Sequence, residues 1–339
     1  MLWSKNNGKE LKSLKMKTGK ILFLIFSFLL VTGCASDKYT IADVERDIAK
    51  HHTGESKFIK VENYKFHYIE EGTGEPMIMI HGWLCWGAYW KKVIPFVKDQ
   101  YHVYAPDLLG HGISDKPLGK DVSYGTEAQA RRIIAFMDAL GIKKAYIVGH
   151  SMGGEIAAKV ALLAPERVKG LVLVCAAGME KNPKLLPWHL RFGRAIHFDN
   201  FAWMMTEDVL RFNTHSLMFY SENPMPDEFI YDLVMTNLNE MKDRKAIVKA
   251  TKEGLFQDFM DKRCAGIKAP TLVISAKYDR VIPPETQEQY SSLIPEAKYV
   301  CIDKAGHMVP WEKPKELANY IINAMKQIPA DQISMNRQD

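Results

Sequence analysis

The 339-residue chain has five cysteines, none of them arranged as Cys-x-x-Cys, and it has no His-Glu-x-x-His run. Without those signatures no metal and no cofactor is expected, and His51-His52 reads as a solvated pair rather than a ligand set. Long apolar runs are missing too. The most apolar stretch, Ile21 to Val31, covers about 11 residues, whereas a spanning helix needs roughly 20. Internal repeats and low-complexity segments are absent. Beyond residue 33 there is also no net charge: the formal +5 comes from six lysines and one glutamate in residues 1–33, which leaves 39 basic and 39 acidic side chains for the rest. A nucleic-acid partner therefore has no electrostatic footprint. What remains, 47% hydrophobic and 25% charged residues, is the composition of a globular chain with a sizeable core.

The excess charge sits where an export signal would carry it. Residues 1–33 run from a basic region through Ile21 to Val31 to the small residue Gly33, the order of a secretory signal peptide. Val31-Thr32-Gly33-Cys34 resembles a bacterial lipobox, which implies cleavage before Cys34 and a diacylglyceryl group on its sulfur. The expected location is the bacterial cell envelope, with membrane attachment through that lipid anchor. Residues 34–56, polar apart from Ile41, Val44 and Ile48, read as a tether. Cys175 and Cys301 lie in apolar runs and are expected to be buried thiols, and no obligatory disulfide is expected.

Phe58 to Val61 and Tyr64 to Ile69 alternate apolar and polar residues around Glu62-Asn63, as a hairpin does. The runs that follow (77–80, 102–105, 145–148, 170–174, 271–275, 298–302) are short and apolar throughout, the signature of strands buried on both faces. Helical patterns lie between several of them, for example Thr126 to Leu140, stopped by Gly141. The alternation predicts an α/β fold with a doubly wound, mostly parallel sheet. It breaks over 178–262, which is helical in character and rich in Met and aromatic residues. That stretch is expected to be an insertion with its own small core, part of which lines an apolar pocket. The division is therefore core 57–177, helical cap 178–262, core 263–327 and a tail 328–339.

Gly149-His150-Ser151-Met152-Gly153 falls between a buried strand and a helix, where Gly-x-Ser-x-Gly makes a tight elbow that lifts the serine hydroxyl above the sheet. A serine needs a base, and the base needs an orienting group. Asp279 follows the strand 271–275 and His307 follows the strand 298–302, so both loops open on the sheet edge where Ser151 emerges. The order Ser, Asp, His is that of an α/β-hydrolase triad. Asp107 also follows a strand, but it, His81, His111 and His150 read as loop braces. Trp86 and Trp90 read as core, and Cys85 as an inert thiol near the site. His189, His197 and His215 show no ligand spacing.

Several ordered motifs together resemble the α/β-hydrolase superfamily over about residues 57 to 327. These are Ile80-His81-Gly82-Trp83, Asp107 to Ser114, Gly149 to Gly154, and Gly306-His307 to Pro310. The exported leader, the elbow and the cap are most similar to bacterial lipases and esterases of the cold-active Moraxella and Psychrobacter type. The resemblance implies acyl transfer by Ser151, His307 and Asp279, with an oxyanion hole made by the main-chain N–H groups of Trp83 and Met152. Serine at the elbow argues against haloalkane dehalogenases and epoxide hydrolases, which place aspartate there. Ester hydrolysis, of a small-molecule or lipid substrate, is the expected activity. A carbon-carbon hydrolase, an aminopeptidase and a non-enzymatic ligand-binding protein on the same fold are the alternatives.

Overall fold

The computed structural model describes residues 46, 54–179, 211, 214–215, 217–254 and 259–327. The leader, Cys34, most of the tether, His51-His52, the first part of the cap with His189 and His197, and the tail lie outside those residues. Among the described residues no helix is long and apolar enough to cross a membrane.

Eight strands form one sheet: β1 (Glu55–Val61), β2 (Tyr64–Glu71), β3 (Glu75–Ile80), β4 (Tyr101–Pro106), β5 (Ala145–His150), β6 (Val168–Val174), β7 (Thr271–Ala276) and β8 (Lys298–Ile302), in the order β1-β2-β4-β3-β5-β6-β7-β8. β1 and β2 are the expected hairpin, antiparallel to each other and, through β2, to β4. All pairings from β4 to β8 are parallel. Every carboxyl end of those six strands therefore opens on one edge. The chain leaves β3 for β4 on one side and later lays β5 on the other, so the loops after β3 and β5 diverge at a topological switch point.

Successive residues of β3 face opposite cores. Met77 and Met79 join the cluster that includes Trp90, Val103 and Ile321, while Ile78 and Ile80 join the one that includes Phe136, Ile156 and Leu171. Helices cover both faces, which is why these strands read as unbroken apolar runs. On the second face lie α1 (Thr126–Ala139) and α2 (Met152–Leu163), and on the first lies α6 (Pro314–Lys326), which buries Leu317, Ala318, Ile321, Ile322 and Met325 along one side. The other longer helices are α3 (Asp227–Leu233), α4 (Met241–Gly254) and α5 (Pro284–Leu293).

One expectation is corrected here. β8 is not buried on both faces, and Cys301 on it is exposed, because β8 ends the sheet and only Ile302 of the strand is buried. The other three described cysteines are buried, and all four are free. The described part of the cap packs on the hydrolase core. Phe229, Ile230, Leu233, Val234, Met235 and Leu238 belong to the cluster containing Tyr89 and Trp311, and Phe229 packs edge-on to Trp311 with ring centroids 5.1 Å apart. An amphipathic helix lowered onto exposed aromatics buries more apolar surface than one paired only with its own neighbours. Where the insertion leaves and rejoins the core, Met260 N–H donates to Gly178 O at 2.6 Å.

Candidate active site

Ser151 follows β5 directly and precedes the first turn of α2, with φ 55° and ψ −120°. A positive φ is uncommon for a residue with a Cβ and persists where the surroundings over-determine it. Here they do. A Cβ at Gly149 would lie 2.2 Å from Gly153 O, and one at Gly153 would lie 2.3 Å from Ile80 O. Glycine at both positions lets strand, turn and helix approach that closely, and the tight elbow leaves the Ser151 side chain partly exposed at the sheet edge.

His307 and Asp279 come from loops after β8 and β7 and meet Ser151 there. His307 Nε2 lies 2.9 Å from Ser151 Oγ, and His307 Nδ1 lies 2.7 Å from Asp279 Oδ2. Asp279 Oδ1 accepts the main-chain N–H groups of Val281 and Ile282, each at 2.8 Å. Both Asp279 and His307 are buried, so the carboxylate is held by three donors in a place where water cannot replace them. The three residues picked out by motif order are brought into one hydrogen-bonded line.

The turn that carries Trp83 lies against the elbow: a Cβ on Gly82 would stand 3.1 Å from Ser151 Cβ. Met152 is the first residue of α2, where main-chain N–H groups have no partner within the helix and the helix dipole favours negative charge. The N–H of Trp83 has no main-chain acceptor among the described residues. His81 braces this turn. Its Nδ1–H donates to Gly82 O at 2.7 Å and its Nε2 accepts Leu108 N–H at 3.0 Å, and burial pushes its pKa down to about 4, so the ring is neutral.

Asp107, His111 and His150 are enclosed among loop and ring partners. Asp107 is fully buried and accepts from Gly87 N–H (2.6 Å), Ile113 N–H (2.8 Å) and the His67 ring (2.9 Å). Burial alone would raise its pKa, but His67 and His81 outweigh it and the carboxyl is held below its ordinary value. His111 is pushed down to about 3 by burial and by His81, and His150 falls well below its ordinary value through burial and His307. His215 is exposed. Trp86 and Trp90 are buried core residues, and burial raises the Cys85 thiol far out of the reactive range.

Sequence reasoning missed four neighbours. Cys175, the residue after β6, brings its sulfur into a cluster with Asp279 and His307 whose donor atoms all lie within 4.8 Å of one another. Burial, and then the charge of Asp279, raise its pKa well above the ordinary value, so it is a protonated thiol. Its place after a parallel strand was the available signal. Glu312 accepts Gly306 N–H (2.9 Å) and Tyr220 N–H (2.8 Å), which ties the histidine loop to the cap. Asn237 and Thr251 reach from the cap to the Trp83 turn. Nothing in the local sequence marks Asn237 and Thr251, whose partners Leu84 and Trp83 lie far away along the chain, or the tie from Glu312 to Tyr220.

The chain is similar to known proteins. The family described as alpha/beta hydrolase fold matches residues 75–314. The 2-hydroxy-6-oxo-6-(2'-aminophenyl)hexa-2,4-dienoic acid hydrolase of Metapseudomonas resinovorans is 31% identical over 281 residues, covering 78% of this chain and 88% of that protein. Lipase 3 of Moraxella sp. (strain TA144) is 30% identical over 253 residues, covering 73% of this chain and 76% of the lipase. Among solved structures, a serine hydrolase involved in carbazole degradation superposes with a TM-score of 0.69 at 27% identity, covering 81% of this chain and 99% of that one.

Proposed function

The chain belongs to the α/β hydrolase family and is a hydrolase, and from that premise we propose that it cleaves carboxylic esters through an acyl-enzyme on Ser151. The observation that carries this reading is the line from Ser151 Oγ to His307 Nε2 at 2.9 Å and from His307 Nδ1 to Asp279 at 2.7 Å. A hydroxyl with an imidazole at hydrogen-bond distance can lose its proton as it attacks a carbonyl. The Ser151 O–C bond forms, His307 Nε2 takes the proton, and the carbonyl oxygen becomes an oxyanion facing the N–H groups of Trp83 and Met152. Collapse of the tetrahedral intermediate breaks the ester C–O bond, and His307 returns the proton to the leaving alcohol. Water, deprotonated by the same nitrogen, then releases the acid and restores Ser151. Asp279 keeps the His307 Nδ1 protonated and stabilises the imidazolium formed in each half.

Esters are favoured because residues 178–262 are rich in Met and aromatic side chains and Lipase 3 of Moraxella is a relative at 30% identity. An acyl chain with six buried CH₂ groups would gain about 5 kcal/mol in such surroundings. Carbon-carbon hydrolysis is the second reading, supported by the likeness to the dienoic acid hydrolase at 31% identity. In the same scheme Cys34 carries a lipid that holds the enzyme at a membrane, next to lipid or small-molecule esters.

The test is hydrolysis of p-nitrophenyl esters and of a dienone by wild type and Ser151→Ala. Esters should turn over faster than the dienone, and Ser151→Ala should lose about 10⁶ in kcat. Ester turnover unaffected by the substitution refutes the assignment of Ser151, and a faster dienone reaction selects the second reading.

A further inference from the structure

Asn237 lies in the cap, in a π-helical turn (Val234–Leu238) that continues α3, and it is fully buried. Turns of this kind, with their widened hydrogen-bond ring, recur at functional sites. Its side-chain oxygen and both amide hydrogens have partners. Oδ1 accepts Gly112 N–H at 2.9 Å, and the two Nδ2 hydrogens go to Leu84 O and Thr236 Oγ1, each at 2.8 Å. The amide orientation is forced, since a main-chain donor faces one end and a main-chain acceptor the other.

The two main-chain partners belong to the two loops that flank the nucleophile. Gly112 sits in the loop after β4, whose conformation Asp107 fixes through Ile113 N–H at 2.8 Å. Leu84 sits in the turn after β3, next to Trp83. That turn is closed by Cys85 N–H donating to Gly82 O at 3.2 Å, and Leu84 occupies its third position with φ +62°. Third positions with positive φ ordinarily take glycine or asparagine. A leucine is kept there by what holds it from outside, and the carbonyl of that leucine is the group Asn237 grips.

A second cap residue grips the same turn. Thr251, in α4, donates its own hydroxyl hydrogen to Ile247 O at 2.7 Å, which leaves its oxygen to accept Trp83 Nε1–H at 2.8 Å. The residue bearing the candidate oxyanion donor is thus held at its side chain by Thr251 and at the following carbonyl by Asn237, both from the cap.

We propose that Asn237 is a positioning residue for the oxyanion donor of Trp83, so that the cap is a working part of the catalytic site and not only a cover over it. The inference rests on the reading of Ser151 as nucleophile. Asparagine suits the task because it offers a donor and an acceptor at one length. Aspartate keeps the acceptor for Gly112 but sets a carboxylate oxygen against Leu84 O, where nothing can donate. The turn then moves away, and Trp83 N–H leaves the place where negative charge develops.

The experiment uses the full chain with Asn237→Asp and Thr251→Val, each checked for folding by circular dichroism. Kinetics on p-nitrophenyl butyrate are paired with affinity for a trifluoromethyl ketone, which adds to the serine and mimics the tetrahedral intermediate. Complete loss of one oxyanion donor costs about 10²- to 10³-fold in kcat, so its displacement in Asn237→Asp should cost about 10- to 100-fold, with KM within about threefold. Ketone affinity should fall by a similar factor, and Thr251→Val should lose about 3- to 10-fold in both. A folded Asn237→Asp whose kcat and ketone affinity stay within about twofold of wild type, or whose loss is confined to KM, overturns the proposal. If Asn237→Asp does not fold, unchanged kcat and ketone affinity in Thr251→Val overturn it instead. A wild type that neither turns over the ester nor binds the ketone refutes the reading of Ser151, and this proposal with it.

Discussion

His150 and His307 are bound to each other through one ring and one main chain: His150 Nε2 lies 2.8 Å from His307 O. His307 O can only accept, so His150 is the neutral tautomer with its proton on Nε2, in keeping with a pKa driven down by burial and by His307. The residue before Ser151 thereby holds the main chain of His307 and ties the end of β5 to the loop after β8.

His150→Ala is expected to lower kcat by about 10- to 100-fold while leaving Ser151 and its attack geometry available, because the base loses an anchor rather than its chemistry. Steady-state kinetics with a p-nitrophenyl ester checks this. An undiminished kcat in the folded variant would show that the His307 loop needs no such anchor.

Acid should destabilise the fold in a particular window. His81 at about 4 and His111 at about 3 are held neutral by burial, against roughly 6.5 in an unfolded chain. Below pH 6.5 the unfolded state takes up protons that the folded state refuses, so stability falls as pH drops towards 4. Each such histidine contributes a slope of at most about 1.4 kcal/mol per pH unit. Asp107, with its lowered pKa, adds loss in the same direction below about 4. Urea unfolding at pH 7 and pH 5 should show the drop, and His111→Gln should shrink it. A pH-independent midpoint across that range contradicts the assignment.

Lys91, on the hydrolase core, reaches Asp232 Oδ2 at 2.7 Å and Glu228 Oε1 at 2.6 Å on α3, with the Lys91 and Asp232 side chains almost fully enclosed. Removing the cation breaks the buried Lys91–Asp232 pair, a change that costs about 3–5 kcal/mol. Lys91→Met should therefore loosen the cap before the sheet melts. Hydrogen exchange that speeds up over 227–254 while β5 and β6 stay protected is the expected pattern, and uniform change across the chain would argue against a cap-specific lock.

Cys34 is outside the described residues, so its role rests on the Val-Thr-Gly-Cys pattern. In a bacterial host, Cys34→Ala should abolish incorporation of labelled palmitate and move the protein from the membrane to the soluble fraction. Labelling that survives the substitution rules out Cys34 as the acceptor.

The strands and the triad were legible because both write themselves locally. Burial on two faces forces an unbroken apolar run, and β5, β6 and β7 show one. The same reasoning misread β8, since a run of apolar residues says nothing about whether a further strand or helix covers it. Ser151 was marked by the glycines that its elbow requires, and Asp279 and His307 by their places after parallel strands. Cys301 was misread because burial is decided by what packs alongside, which local pattern does not encode.

By itself, then, the sequence determined the order of elements, the edge of the sheet at which chemistry would gather, and the candidate serine, histidine and aspartate that meet there. Strand direction and the steric demands of a tight elbow depend on neighbouring residues, and neighbours are what a sequence lists. Only the tertiary structure decided that Asn237 and Thr251 grip the Trp83 turn, that Glu312 ties the His307 loop to the cap, and that the Cys175 thiol faces Asp279. Those contacts join residues up to 168 positions apart, and their partners are fixed by how the cap settles on the core.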